Sequence, residues 1–399
     1  MSIEKTMREL NTLHLSEKSA ISLEKPESEY ILHIDSQLSS VCGSDARVAA
    51  TGSENTVRIY TRQTLGYLAS ISGHTKTITG VKFARVMPHL LYTSSLDGTV
   101  RCWDTRSNMK DAVQIFTGCE GDTDAFSSFD ISCDDRLLCT GTDATDHDGV
   151  FILFWDTRKP QPLGCYSESH HDDITQVCFH PHDRDRLLTG STDGLVCVFD
   201  VSQETEDDAL QGTLNSESSV SHIGWCGERE CNVYCTTHIE TVHVWQADEF
   251  DAVTQIKDVR DAFQGEKKLD YIVDCFQPMG DNRLHVLAGN HSGHLHLLRA
   301  SSPDCLEYIS SLDGGHSQDV RCLTWDAQAE VAVTGGEDSM LCLWHPRQGH
   351  QNTAEVTRRH PLKAPSKIRL HTKRSVGENR RHAKGHRTSQ ESASHSHEG

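Results

Sequence analysis

Leu96-Asp97-Gly98-Thr99-Val100-Arg101-Cys102-Trp103-Asp104 is a turn followed by a strand, and its recurrence decides the fold. Asp97-Gly98 supplies two residues that tolerate the backbone of a tight hairpin. Apolar Val100 and Cys102 then alternate with Thr99 and Arg101 until the run ends on the large Trp103. A period of two is the mark of a strand with one buried face. The run Leu90-Leu91-Tyr92-Thr93-Ser94 before the turn is rich in β-formers, so the two segments read as a hairpin.

Six further segments repeat the pattern: Thr56–Tyr60, Phe151–Trp155, Leu195–Phe199, Thr241–Trp245, His294–Leu298 and Met340–Trp344. Successive end positions lie 43, 52, 44, 46, 53 and 46 residues apart. A period in the forties suits four short strands and their turns, and the two long intervals imply loop insertions. Turns at Thr192-Asp193-Gly194 and Glu337-Asp338-Ser339, and small or β-branched runs at Val48–Gly52, Leu187–Gly190 and Val331–Gly335, recur at matching places. One such hairpin cannot bury both faces, whereas a radial array of them can. The expectation is an all-β protein, a seven-bladed β-propeller over residues 19–348.

These residues resemble the WD-repeat family of propellers. Gly73-His74 pairs with Trp103-Asp104, Trp155-Asp156 carries the end signature alone, and Gly315-His316 pairs with Trp344, followed by His345 in place of Asp. His170 precedes Phe199-Asp200 by the 29 residues that separate His74 from Trp103. The resemblance spans roughly residues 28–348. It implies hydrogen-bonded structural tetrads at Trp103, Thr93, His74 and Asp97, and at Trp344, Thr334, His316 and Asp338. A third set, Thr189, His170 and Asp193, has Phe199 in the tryptophan's place. It also implies that an N-terminal strand completes the last blade. Ser19–Glu24 is the expected strand, with residues 1–18 as a lead-in. The fifth and sixth repeats have drifted, with Trp245-Gln246 and Leu298-Arg299 at their ends, and the polar stretch Lys257–Asp270 reads as an exposed loop or short helix.

Trp103-Asp104-Thr105-Arg106 and Trp155-Asp156-Thr157-Arg158 end two successive blades alike. Such paired motifs resemble those of family members that dock onto an adaptor of cullin-RING ubiquitin ligases, which would make Arg106 and Arg158 adaptor-binding and the chain a substrate-recognition subunit. The bland reading is a solvated turn. The family's use of one rim for partners implies Leu96, Thr192 and Glu337, just before the turn aspartates, as top-face partner-binding positions.

No catalytic residues, metal ligands or cofactors are expected. No phosphate-cradling glycine loop occurs, and nothing in the pattern pairs a nucleophile with a base. His170-His171-Asp172-Asp173 falls where the family has its structural histidine. Among 15 cysteines, Cys226, Cys231 and Cys235 lie closest, but their spacing lacks paired knuckles and reads as buried strand thiols. The odd number, and a start Met1–Leu10 without an apolar core, favour a reduced, intracellular setting in nucleus or cytoplasm. No apolar run is long enough to span a membrane.

The net charge of −20 divides unevenly. Residues 350–399 hold eleven Lys or Arg against four Glu, while the remainder holds 27 basic and 54 acidic residues. So acidic a body repels phosphate backbones. The tail, 349–399, reads as disordered and basic, able to bind nucleic acid weakly or to be read by nuclear import receptors. The resulting function is a non-enzymatic scaffold for protein–protein interactions. An adaptor-docking role, or a nuclear role associated with RNA through the tail, stands as a finer alternative.

Overall fold

The computed structural model describes residues 13–21, 29–118, 125–144 and 149–346. The basic tail and the first twelve residues of the lead-in lie outside the described residues. Seven four-stranded antiparallel sheets make up the described chain. Blade 1 comprises Ile31–Ser36, Arg47–Gly52, Thr56–Thr61 and Tyr67–Ser72. Blades 2 to 6 repeat that meander over residues 78–117, 126–166, 174–215, 220–256 and 271–312. Each segment of the sequence repeat is the third strand of its blade. The first strands pack against one another around the ring, and the fourth strands form its outer edge.

Blade 7 takes three strands from residues 320–346 and its fourth from Leu13–Ala20. Ser19 faces Leu341, and Leu15 faces Trp344, across a bulge between Leu15 and Glu17. The closing strand therefore begins six residues earlier than expected and keeps only Ser19 and Ala20 of the expected segment. Ser22, Leu23 and Glu24 lie outside the described residues. Burial explains the placement: Leu13 enters the apolar cluster between blades 6 and 7, beside Leu295, Leu312 and Trp344. Residues 13–18, expected in a lead-in, belong to the ring.

The seam between blades 1 and 7 is tied a second time. The Arg62 guanidinium donates to Asp326 at 2.5 Å and to Ser39 Oγ at 2.6 Å, and both members of the ion pair are buried. Ser339 Oγ also donates to the carbonyl of Glu29, whose carboxylate pairs with Arg58 at 2.5 Å. Buried charges persist only when paired and hydrogen-bonded, which these are.

Apolar clusters lie mostly between neighbouring blades. Blade 6 and its neighbour share the largest, with Leu298, Val286, Ala288 and Leu284 buried against Val242 and Val244 of blade 5. The stretch 257–270 forms two short turns, Val259–Asp261 and Gly265–Lys267, and is not wholly exposed: Val259 and Leu269 are buried there. Cys226 and Cys235 are buried strand thiols, but Cys231 stands exposed in a loop, against the sequence reading. Cys102, Cys139, Cys197 and Cys342 are likewise buried thiols within strands. No helix among the described residues is long and apolar enough to cross a membrane.

Candidate functional site

A meander places its first–second and third–fourth turns at one end of the blade and its second–third turn at the other. The ring therefore has two faces of different composition, and the sequence-derived site residues divide between them.

On the second–third turn face, blade 2 brings four residues together. His74 Nδ1 lies 3.0 Å from Asp97 Oδ2, His74 Nε2 lies 2.7 Å from Thr93 Oγ1, and Trp103 Nε1 donates to Thr93 Oγ1 at 3.0 Å. Blade 7 repeats this with His316, Asp338, Thr334 and Trp344 at 3.1, 2.8 and 2.8 Å. Burial alone would raise Asp97 and Asp338, but hydrogen bonds from the histidines help to hold both carboxyls below the ordinary range. In blade 4, His170 reaches Asp193 at 3.1 Å and Thr189 at 2.7 Å, while buried Phe199 makes no third bond. Burial lowers the His170 pKa, yet the hydrogen bond to Asp193 helps to carry it up to about 9. The imidazolium and its carboxylate are thus a structural ion pair, with both ring nitrogens engaged. Among the described residues no group of three or more His, Cys, Asp or Glu is placed to hold a metal.

Leu96, Thr192 and Glu337 occupy equivalent places on this face, half-buried. Each backbone N–H donates across the blade end, to Thr77, Asp173 and Asp319 respectively. The Glu337 carboxylate is paired with Arg321. Thr192 Oγ1 also donates to the Asp173 carbonyl, at 3.5 Å.

Arg106 and Arg158 project from the opposite face, 65% and 63% exposed. Each guanidinium folds onto the aspartate two residues before it: Arg106 Nε and Nη2 donate to Asp104 at 3.0 and 2.7 Å, and Arg158 Nε donates to Asp156 at 2.7 Å. The clip holds Asp104 down at about 2 and lowers Asp156 likewise. The same Asp-x-Arg clip recurs at Asp258-Arg260 and Asp281-Arg283, outside any Trp-Asp end. It is a turn device of this chain.

The seven first strands line a central cavity of about 330 Å³. Asp35, Lys82 and Asp274 line it at one level, where Lys82 pairs at 2.8 Å with Asp130 of the blade 3 first strand. Burial pushes the Asp35 and Asp274 carboxyls up, and burial beside His222 lowers His33 to about 4. Sequence reading missed the three aspartates and the lysine because they lie on separate blades, 47 residues or more apart. It also missed Asp135, whose carboxylate accepts the backbone N–H groups of Arg85, Val86 and Met87 at 2.7, 2.8 and 2.8 Å.

A family model for the WD domain, G-beta repeat, matches residues 66–104, 161–200 and 306–345. These stretches end at the third strands of blades 2, 4 and 7, the three blades that carry the His–Asp–Thr chain. The Arabidopsis thaliana WD repeat-containing protein GTS1 is 32% identical over 78% of this chain and 80% of its own length. A Dictyostelium discoideum protein, WD repeat-containing protein 89 homolog, is 29% identical over 74% of this chain and 79% of its own. The human GATOR2 complex protein WDR24 is 26% identical over a shorter stretch, 43% of this chain and 21% of that protein.

Proposed function

The chain belongs to the WD-repeat family, and on that premise we propose that it is a non-enzymatic scaffold that holds other proteins together through the loops at the ends of its blades. One observation carries this reading. The histidine–aspartate pairs that resemble reactive groups are engaged in holding blades 2, 4 and 7, while the turn residues around them reach solvent. Rigid sheets that present variable loops are the usual way a scaffold binds. The similarity to a subunit of the GATOR2 complex supports membership of a multiprotein assembly. Proximity labelling of the intact chain should return a defined set of proteins that thins when Leu96 and Thr192 are replaced by Arg. A labelled set no different from that of an unfused enzyme would end this reading.

The finer reading, docking onto a ubiquitin-ligase adaptor, is supported by the exposure of Arg106 and Arg158 on adjacent blades. The clips to Asp104 and Asp156 weigh against it, because a guanidinium already bonded to its own turn has fewer donors left for a partner. Arg106→Ala with Arg158→Ala should leave the melting temperature unchanged. Equal adaptor recovery by the double variant and the parent in a pull-down would discard the role. The nuclear, RNA-associated reading rests on the basic tail alone. Removing 350–399 should reduce nuclear signal and salt-sensitive RNA binding, and unchanged values for both would dismiss it.

A further inference from the structure

The connection between the third and fourth strands of blade 4, residues 201–209, is nine residues long, against five at 62–66, 157–161 and 247–251 in blades 1, 3 and 5. Its sequence, Val201-Ser202-Gln203-Glu204-Thr205-Glu206-Asp207-Asp208-Ala209, holds no Lys or Arg, and Glu206–Asp208 is the one run of three acidic residues in the chain. Thr205 stands immediately before that run and is exposed, as are Asp207 and Asp208.

Two side chains tie this segment down. Thr205 Oγ1 accepts the Asp208 N–H at 3.2 Å and donates to Asp208 Oδ2 at 2.8 Å, closing the single helical turn Glu206–Ala209. The Glu206 carboxylate reaches out of that turn to the connection between blades 3 and 4. There it accepts the N–H groups of Ser167, Glu168 and Ser169 at 2.7, 3.0 and 2.9 Å, and the Ser169 hydroxyl at 2.5 Å. The next residue is His170, whose pair with Asp193 is the tie of a blade that lacks the indole bond. A helix of one turn has almost no stability of its own, so the Thr205 hydroxyl decides whether Glu206 points at its donors.

We propose that Thr205 is a phosphorylation site for an acid-directed protein kinase, and that the phosphate releases residues 167–169 from Glu206. A kinase groove lined with Lys and Arg recognises carboxylates just after the acceptor hydroxyl, and Asp207 and Asp208 offer them from the surface. One turn in a long connection opens into the extended form that such a groove takes far more easily than a sheet strand does. In the transfer, Thr205 Oγ attacks the γ-phosphorus of a nucleoside triphosphate. The bond from that phosphorus to the β–γ bridging oxygen breaks, the nucleoside diphosphate leaves, and the hydroxyl proton passes to the kinase's base. The phosphothreonine then carries about two negative charges at neutral pH beside Glu206 and Asp208, and it has lost the proton that bonded Asp208. A phosphate at a helix start is ordinarily favourable, but here the first turn is already filled by three carboxylates, with no Lys or Arg in the connection to offset them. Like charges open the turn, and Glu206 leaves its donors.

The test is to treat the intact chain with an acid-directed serine/threonine kinase and ATP, locate the phosphate by mass spectrometry of its peptides, and follow hydrogen exchange at residues 167–169. The phosphate should appear at Thr205, and exchange at those amides should quicken about tenfold or more. Thr205→Ser should still be modified, whereas Asp207→Asn with Asp208→Asn, both exposed, should slow the transfer about tenfold or more. Thr205→Ala, which loses the cap without gaining charge, should quicken exchange less than the phosphate does. No transfer to the parent, phosphate on other residues alone, or equal rates for the double variant would overturn the assignment of the site. Unchanged exchange on phosphorylation, or exchange matched by Thr205→Ala, would overturn the release.

Discussion

Blade 2 ties Trp103 to Thr93, His74 and Asp97 by hydrogen bonds, whereas blade 6 puts Leu298 in the tryptophan's place and holds its strands by apolar packing. Both have the same four strands in the same order. Blade 6 also buries polar atoms that the structure leaves without a partner, among them His296 Nε2, Arg299 Nε and Ser310 Oγ. The difference teaches that the radial fold does not require the hydrogen-bonded chain. What it requires is a filled space between neighbouring blades. Drifted sequence at blades 5 and 6 has moved the source of cohesion from directed bonds to burial, and the geometry has survived.

Leu298→Ala should do the greatest damage, about 3 kcal/mol by denaturant titration, because the emptied volume lies in the cluster that blades 5 and 6 share. A loss below about 1 kcal/mol would mean that blade 6 can close around the gap and that packing is not its main tie. The sharpest contrast lies between two threonines at the same strand position. Thr93→Val strands His74 Nε2 and Trp103 Nε1, and should cost about 2 kcal/mol. Thr140, one blade on, already has a buried hydroxyl without a partner, and Trp155 Nε1 donates instead to the Thr117 carbonyl at 3.2 Å. Thr140→Val should therefore change stability by less than about 0.5 kcal/mol. Equal losses at the two positions would remove the distinction between wired and packed blades.

Blade 4, with the His–Asp pair but no indole, sits between these cases and gives the smallest effect, through pH. The folded His170 pKa, about 9, lies above its ordinary 6.5, so the pair's contribution is complete below pH 6.5 and disappears as pH rises to about 9. Asp193 is held low, with burial opposing and the His170 bond prevailing, so its share is lost only on acidification. The melting-temperature gap between the parent and His170→Gln should thus narrow from pH 6 to pH 9.5. A constant gap would show that His170 acts through packing alone.

The repeat was legible because each third strand carries its own local signature, a turn followed by alternation ending on a bulky residue. The same locality made the His–Asp–Thr residues readable in three blades, since all members of a set lie within 30 positions of one another. The closing strand was misplaced for a physical reason. Leu13-His14-Leu15 and Ala20-Ile21-Ser22-Leu23 both alternate, and only the distant cluster around Trp344 decides which segment pairs. Groups that join different blades left no local trace. Asp135 lies 48 to 50 residues from the amides that it caps, and Arg62 lies 264 from Asp326.

The strand Leu13–Ala20 has consequences in time as well as in space. Its partner, Met340–Pro346, is about 320 residues away. At ordinary rates of synthesis that interval is on the order of tens of seconds, during which one of the first strands made has nothing to pair with. Blades 1 to 6 can each complete their hydrogen bonding as they emerge, but the ring cannot lock until the last strand of blade 7 has left the ribosome. A chain truncated between Leu312 and Met340 would hold six blades with open edges and a loose first strand, so the same feature acts as a check that synthesis has reached the end of the ring.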